Sequence, residues 1–326
     1  MGRWIVIIIA GLIVALAALY VLGPRVAADT TIRFDPAAIG DDPDAYLAAR
    51  EARFDDIRDG LAKEIVWADP ATRAKTPLSI VYIHGFSASK GEVRPLPDKV
   101  AAALGANLYY TRLAGHGRDG AAMAEASVNA WVNDVAEALA IGRAIGERVV
   151  VVATSTGGSL AAWAATQPAL SHDVAAMVLI SPNFGVQAAG AGLLTGPWGG
   201  QIARLAIGPE RGFEPANDLQ AKLWTTRYPT SATLPMAATV KLAAEAPLEK
   251  ATIPALFIIS DGDKVVRPDA ARRAAGRWGA AHKLITVDDA GDPSSHVLAG
   301  DAMSPATTGR LSQEILQLIE SLPATR

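Results

Sequence analysis

Arg148-Val-Val-Val-Val-Ala-Thr-Ser155-Thr-Gly-Gly-Ser-Leu-Ala-Ala-Trp163 is the stretch that decides the fold. Its valine run reads as a strand buried on both faces, and the small-residue run after Ser155 opens a helix at once. A serine at such a turn is held in a sharp, strained elbow. The elbow needs small residues two places before and two after, because the backbone closes on itself there. Ala153 and Gly157 fill those places, so the pattern is Ala-x-Ser-x-Gly rather than Gly-x-Ser-x-Gly. Ser155 is therefore a candidate nucleophile. It would also serve as a plain helix N-cap, a position serine favours, and the loops around it have to decide.

Outward from this element the chain alternates short Val/Ile/Leu-rich runs with longer Ala-rich helical stretches, the pattern of a mostly parallel sheet covered on both faces. Strands are expected at Leu78 to Ile83, Asn107 to Thr111, Arg148 to Thr154, Met177 to Ser181, Ala255 to Ser260 and Lys283 to Val287. Helices are expected at Val128 to Ile145, Thr156 to Thr166, Pro268 to Trp278 and Thr308 to Leu322. The alternation lapses at residues 183–253 into Gly/Pro-punctuated helical fragments, an insertion that reads as a cap over the strand ends. Trp198, Trp224, Tyr228, Leu234 and Met236 in it read first as the cap's own core and second as the lining of an acyl pocket.

Two further loops carry chemistry-bearing residues. Tyr82-Ile83-His84-Gly85-Phe86-Ser87 follows the first expected strand, and Arg112-Leu-Ala-Gly115-His116-Gly117 follows the second. With these loops, residues 64–322 resemble the α/β-hydrolase superfamily, especially its capped branch of esterases, monoglyceride lipases and serine aminopeptidases. The resemblance implies an α/β-hydrolase fold: a mostly parallel sheet with helices on both faces and a helical cap. It also implies that His84-Gly85 turns the chain so that the Phe86 N–H and the Thr156 N–H together form an oxyanion hole. His84 and His116 then shape loops and are not bases.

The superfamily orders its triad serine, acid, histidine along the chain. After the strand ending at Ser260 stands Asp261-Gly-Asp263-Lys-Val-Val266, similar to the family's Gly-x-x-Asp-x-Val-Val loop, and that registration selects Asp263 over Asp261. The last strand is followed by a loop containing His296. Of the five histidines, only this one is both in order and in a loop at the end where strands deliver catalytic groups. The implied set is Ser155, Asp263 and His296, cleaving carboxylic esters as a carboxylesterase or a lysophospholipase or monoacylglycerol lipase would. Serine-aminopeptidase activity is the alternative, and its discriminator is whether a carboxylate such as Glu92 or Glu214 faces the nucleophile. Taken alone, Glu92 reads as a solvated loop charge. A hydrolase-like scaffold that binds without chemistry is disfavoured, because all three triad roles are filled.

Composition narrows the remaining choices. The chain of 326 residues is half hydrophobic and has a formal net charge of -3 with no basic stripe, which points away from nucleic acid. Zero cysteines exclude disulfides and thiolate chemistry. No metal-binding or phosphate-cradling motif is present, so no metal and no cofactor is expected. Asp41, Asp42 and Asp44 lack calcium-loop spacing. From Trp4 to Leu22 the sequence runs without a charge, long enough at about 1.5 Å per residue to cross a bilayer. Residues 1–23 are read as a single-pass transmembrane anchor, since the run exceeds the usual length of a cleaved signal peptide; cleavage near Ala28 is the alternative. Either way the catalytic domain is expected outside the cytoplasm, periplasmic or extracellular. Residues 24–63 are read as a linker and an amphipathic helix over Tyr46 to Leu61.

Overall fold

The computed structural model describes residues 2–322. Its centre is a sheet of seven strands: β1 (Glu64–Val66), β2 (Thr76–Ile83), β3 (Asn107–Tyr110), β4 (Gly146–Thr154), β5 (Val174–Ile180), β8 (Ala255–Ile259) and β9 (His282–Thr286). A separate hairpin contains β6 (Glu210–Gly212) and β7 (Arg227–Pro229). The order across the large sheet is β1-β3-β2-β4-β5-β8-β9. Only β1 runs antiparallel, at the edge against β3. The chain goes outward from β2 to β3 and then crosses back to β4, so the carboxyl ends of β2 and β4 meet at the point where the winding reverses. Ligand crevices form at such points in open α/β sheets.

The sheet is buried on both faces because its central strands carry runs of consecutive apolar residues, Ile80 to Ile83 in β2 and Val149 to Ala153 in β4. Val149, Val151 and Ala153 join Val81 and Ile83 in the core on one face, while Val150 and Val152 join Ile80 and Tyr82 on the other. The first face is covered by α4 (Val128–Ile145), α5 (Thr156–Ala165), α9 (Thr233–Glu245) and α10 (Pro268–Gly276), and the second by α3 (Leu96–Leu104) and α11 (Pro305–Glu320). The short α6 (Pro168–Ser171) joins α5 to β5. Ser127 caps α4 by accepting the Ala130 N–H at 3.0 Å. At the other end of α4 the chain turns directly into β4 through Gly146, where a Cβ would stand 2.5 Å from the Ser79 backbone nitrogen.

Between β5 and β8 lie α7 (Gly199–Ile207), the hairpin, α8 (Asp218–Leu223) and α9. Helix α9 sinks Ala238 and Ala243 into the sheet's core, whereas α7 buries only Gly199 and Ala203.

At the N-terminus α1 (Gly2–Leu22) is exposed along its whole apolar length and is long enough to cross a membrane. Arg25 folds back to donate to the carbonyls of Tyr20, Val21 and Gly23, which the end of a helix leaves unpaired. The segment after it is pinned to the body. The N–H groups of Arg33 and Phe34 both donate to Asn133 Oδ1, and the Asn129 and Asn133 amides donate to the Thr31 carbonyl. The helix expected over Tyr46 to Leu61 is instead α2 (Pro43–Glu51), capped by Asp42 with Pro43 in its first turn. Its expected second half leaves helical geometry because Phe54 is drawn between the guanidinium groups of Arg112 and Arg118, while Glu51 takes a two-pronged ion pair from Arg112.

Candidate active site

Ser155 stands between β4 and α5 with φ 52° and ψ -119°, a backbone conformation that side-chain-bearing residues rarely adopt. Its N–H donates to the Ile180 carbonyl, and its own carbonyl accepts from Ser159 and Asn183, so strands and helix hold the strained turn from three directions. The small neighbours are required: a Cβ on Gly157 would lie 2.3 Å from the Ile83 carbonyl oxygen, and Ala153 is wholly buried. The Ser155 hydroxyl has no hydrogen-bond partner among the described residues and lines a cavity of about 870 Å3.

His296 lines the same cavity, and its Nδ1 donates to Asp263 Oδ2 over 2.8 Å. The other Asp263 oxygen accepts the N–H groups of Val265 and Val266, which orients the carboxylate. Asp261, two residues earlier, turns outward to Arg272 on the surface. Burial alone would lower the His296 pKa. The bond and charge of Asp263, helped by Glu92 and Asp292, outweigh burial and hold it above the usual value of 6.5.

Beside Ser155 the turn after β2 presents the Phe86 N–H. Neither it nor the Thr156 N–H has an acceptor among the described residues, whereas the flanking Gly85 and Ser87 N–H groups are taken by Glu92 and by His116 Nε2. His84 and His116 lie tilted against each other with ring centres 4.9 Å apart and act as clips. His84 Nε2 accepts the Leu113 N–H while its Nδ1 faces the Gly85 carbonyl, and His116 Nδ1 faces the Ala114 carbonyl. These partners fix both rings as neutral tautomers. Burial pushes the His84 pKa down to about 4 and the His116 pKa well below normal, the His84 ring adding to the latter.

Three residues at the site were missed or misread in the sequence. Glu92 is not a solvated charge. It is buried, its Oε2 accepts from the Gly85 N–H and the Tyr82 hydroxyl at 2.8 Å each, and it reaches the cavity wall; burial raises its pKa. Asp292 accepts the N–H groups of His296 and Val297 and shapes the histidine loop. Ser181 donates to the His296 carbonyl at 2.7 Å. Asp292 stood in the sequence in an Asp-Pro-Ser-Ser run, a turn signal with no indication of what the turn holds.

Trp224, Tyr228 and Met236 line the cavity, with Leu193, Leu194, Ile202 and Ile207 from the cap. Trp198 and Leu234 do not; Leu234 borders a second, smaller cavity under the N-terminal segment. No metal-ligand cluster occurs among the described residues.

The chain is 28% identical over 201 residues to a thermostable monoacylglycerol lipase of Bacillus sp. (strain H-257), which covers 62% of this chain and 76% of that protein. Among solved structures, one of the metagenome-derived lipolytic enzymes LipS and LipT superposes with a TM-score of 0.66 at 21% identity, over 81% of this chain and 99% of that one. A soluble variant of the Saccharomyces cerevisiae monoglyceride lipase, bound to a substrate analogue, superposes with a TM-score of 0.59 at 11% identity, over 81% and 92%. These two likenesses show the fold. The sequence model of the alpha/beta hydrolase family matches residues 80–305, a span that runs from β2 through the elbow to the histidine loop, and the chain belongs to that family.

Proposed function

We propose that this hydrolase cleaves carboxylic esters, with Ser155 as nucleophile, His296 as general base and Asp263 as the residue that orients it. The observation that carries the reading is the His296–Asp263 hydrogen bond in the wall of the cavity that also holds the strained Ser155. Substrate binding would bring the Ser155 hydroxyl to His296 Nε2, the nitrogen left free once Nδ1 donates to Asp263. As Oγ attacks the acyl carbonyl, Nε2 takes its proton, and the oxyanion receives the Phe86 and Thr156 N–H groups, each worth about 3 to 4 kcal/mol in such sites. Collapse expels the alcohol, protonated by His296. Water then attacks the acyl-enzyme with the same base and regenerates Ser155.

The apolar cavity and the Bacillus relative's activity support a monoacyl lipid or similar ester as substrate. Peptide cleavage at a free amino terminus is the second reading, favoured by Glu92 and Glu214 in the cavity wall. Against it, Glu92 is buried and its Oε2 is already taken by the Gly85 N–H and the Tyr82 hydroxyl, which leaves it a poor partner for an ammonium group. The length and apolarity of α1 support a single-pass anchor, and we read the body that follows it as lying outside the cytoplasm.

Labelling with a fluorophosphonate probe tests the nucleophile: the natural chain should label and Ser155→Ala should not. Turnover of p-nitrophenyl esters but not of aminoacyl anilides is expected; the reverse preference would replace the esterase reading. A reporter active only outside the cytoplasm, fused after Leu322, should be active.

A further inference from the structure

We propose that the outer face of cap helix α7 docks on the lipid surface beside α1, so that the catalytic cavity opens toward the bilayer. Two uncovered apolar surfaces meet in this molecule. One is α1. The other is formed by Ile202 and Leu205, three residues apart on one face of α7, with Trp198 at the helix N-cap; Leu205 is 88% exposed. A contiguous apolar surface left in water marks an interaction site.

The two surfaces are fastened together. The Trp198 N–H donates to the Pro24 carbonyl at 2.8 Å and its indole Nε1–H to the Leu19 carbonyl at 2.9 Å. Leu19 lies three residues before the end of α1, so the indole sits about 4.5 Å inside the apolar run, at the depth where a spanning helix leaves the hydrocarbon. Tryptophan collects at that depth in membrane proteins. Charge at the same level suits lipid rather than a second copy of the chain. Arg25 and Arg204 border the smaller cavity there, and Arg204 is exposed with no ion-pair partner among the described residues. Cations in that position complement phosphate headgroups while their stems lie along apolar surface.

The arrangement gives α7 two occupied sides. Ala203, Ala206 and Ile207 line the catalytic cavity from the other side, with Ile202 at the edge between the two, so one helix separates the proposed nucleophile's chamber from the lipid. A monoacyl substrate would then pass from bilayer to cavity around a single helix without entering bulk water. This inference rests on the reading of α1 as membrane-spanning.

The absence of cysteine makes a depth measurement direct. Val14→Cys, Leu205→Cys and Glu147→Cys, each in the full-length chain, would carry a nitroxide in vesicles of phosphatidylcholine and phosphatidylglycerol. Glu147 is exposed at the start of β4, the end of the sheet away from the cap. Collision with oxygen relative to a water-soluble nickel complex should be highest at position 14, clearly raised at 205 and low at 147. If 205 matches 147 while 14 lies deep, the anchor stands and the docking is wrong. If 14 also matches 147, both fail. Spin–spin broadening at 205 would show a second copy on this face and overturn the proposal. Because this readout needs no turnover, it is independent of the esterase reading. In a second measurement, Leu205→Asp should slow hydrolysis of a vesicle-borne monoacylglycerol about tenfold and leave a soluble p-nitrophenyl ester unaffected. Equal rates on vesicles would refute it.

Discussion

Replacing Asp263 by asparagine is the sharpest test of the proposed triad, because the structure dictates which way the new amide must point. The side chain sits between two kinds of partner: Val265 and Val266 N–H groups on one oxygen, His296 Nδ1 on the other. If the amide nitrogen faced the two N–H groups, two donors would confront it and lose their acceptor, at about 1 to 3 kcal/mol each. The amide oxygen therefore stays on the valine side and the nitrogen faces His296. That nitrogen can only donate, so Nδ1 must accept and the ring proton moves to Nε2, the atom that should take the Ser155 proton. A wrong tautomer with intact geometry typically lowers kcat by about ten-thousandfold, roughly 5.5 kcal/mol of barrier. Asp263→Asn should show that loss on p-nitrophenyl butyrate with little change in thermal midpoint. Asp261→Asn, which only breaks a surface pair with Arg272, should stay within about threefold of the natural enzyme. An Asp263→Asn enzyme retaining a tenth of the activity, or an Asp261→Asn enzyme that lost it, would refute the assignment.

Because the His296 pKa is raised and only its neutral form can accept a proton, kcat/KM for a soluble ester should fall with decreasing pH through a limb centred above 6.5; a limb near 5 would speak against this base. Glu92→Gln keeps the shape but removes a negative charge near His296, so the limb should move to lower pH, whereas Glu92→Leu strands the Gly85 N–H and Tyr82 hydroxyl and should destabilise the chain by about 2 to 4 kcal/mol in urea unfolding. Gly157→Ala, which drives a methyl into the Ile83 carbonyl, should abolish probe labelling and cost about 3 kcal/mol of stability. His84 is held neutral, with a native pKa of about 4 against 6.5 for an exposed ring. As pH falls below 6.5 the unfolded chain binds protons first, and stability should drop by up to about 1.4 kcal/mol per pH unit on this account, an increment that His84→Gln removes.

The parts of the fold legible in the sequence were those set by local periodicity. Helix α4 begins and ends where it was expected, at Val128 and Ile145, and the strand before Ser155 needed only its own valines. The strap after α1 was opaque because its partners, Asn129 and Asn133, lie about a hundred residues away and carry no mark of that use. Strand β1 has three residues, too few for a period to show. Within the candidate site, Ser155, Asp263 and His296 could be picked out because the resemblance to the hydrolase superfamily supplies their order along the chain and each lies in a loop after an expected strand. Glu92 could not. A charged residue in a Gly/Ser loop looks solvated until the hydroxyl of Tyr82 and the N–H of Gly85 are seen to enclose it.

The positive φ of Ser155 sets fold and chemistry against each other at one position. Glycine would adopt the elbow without steric strain, and even after its larger entropy loss Ser155→Gly should give a chain more stable by about 1 to 2 kcal/mol, without ester hydrolysis once the proposed nucleophile is gone. Selection for heat resistance alone would therefore favour glycine at this residue, and a side chain held there against that strain is what the proposed nucleophile requires.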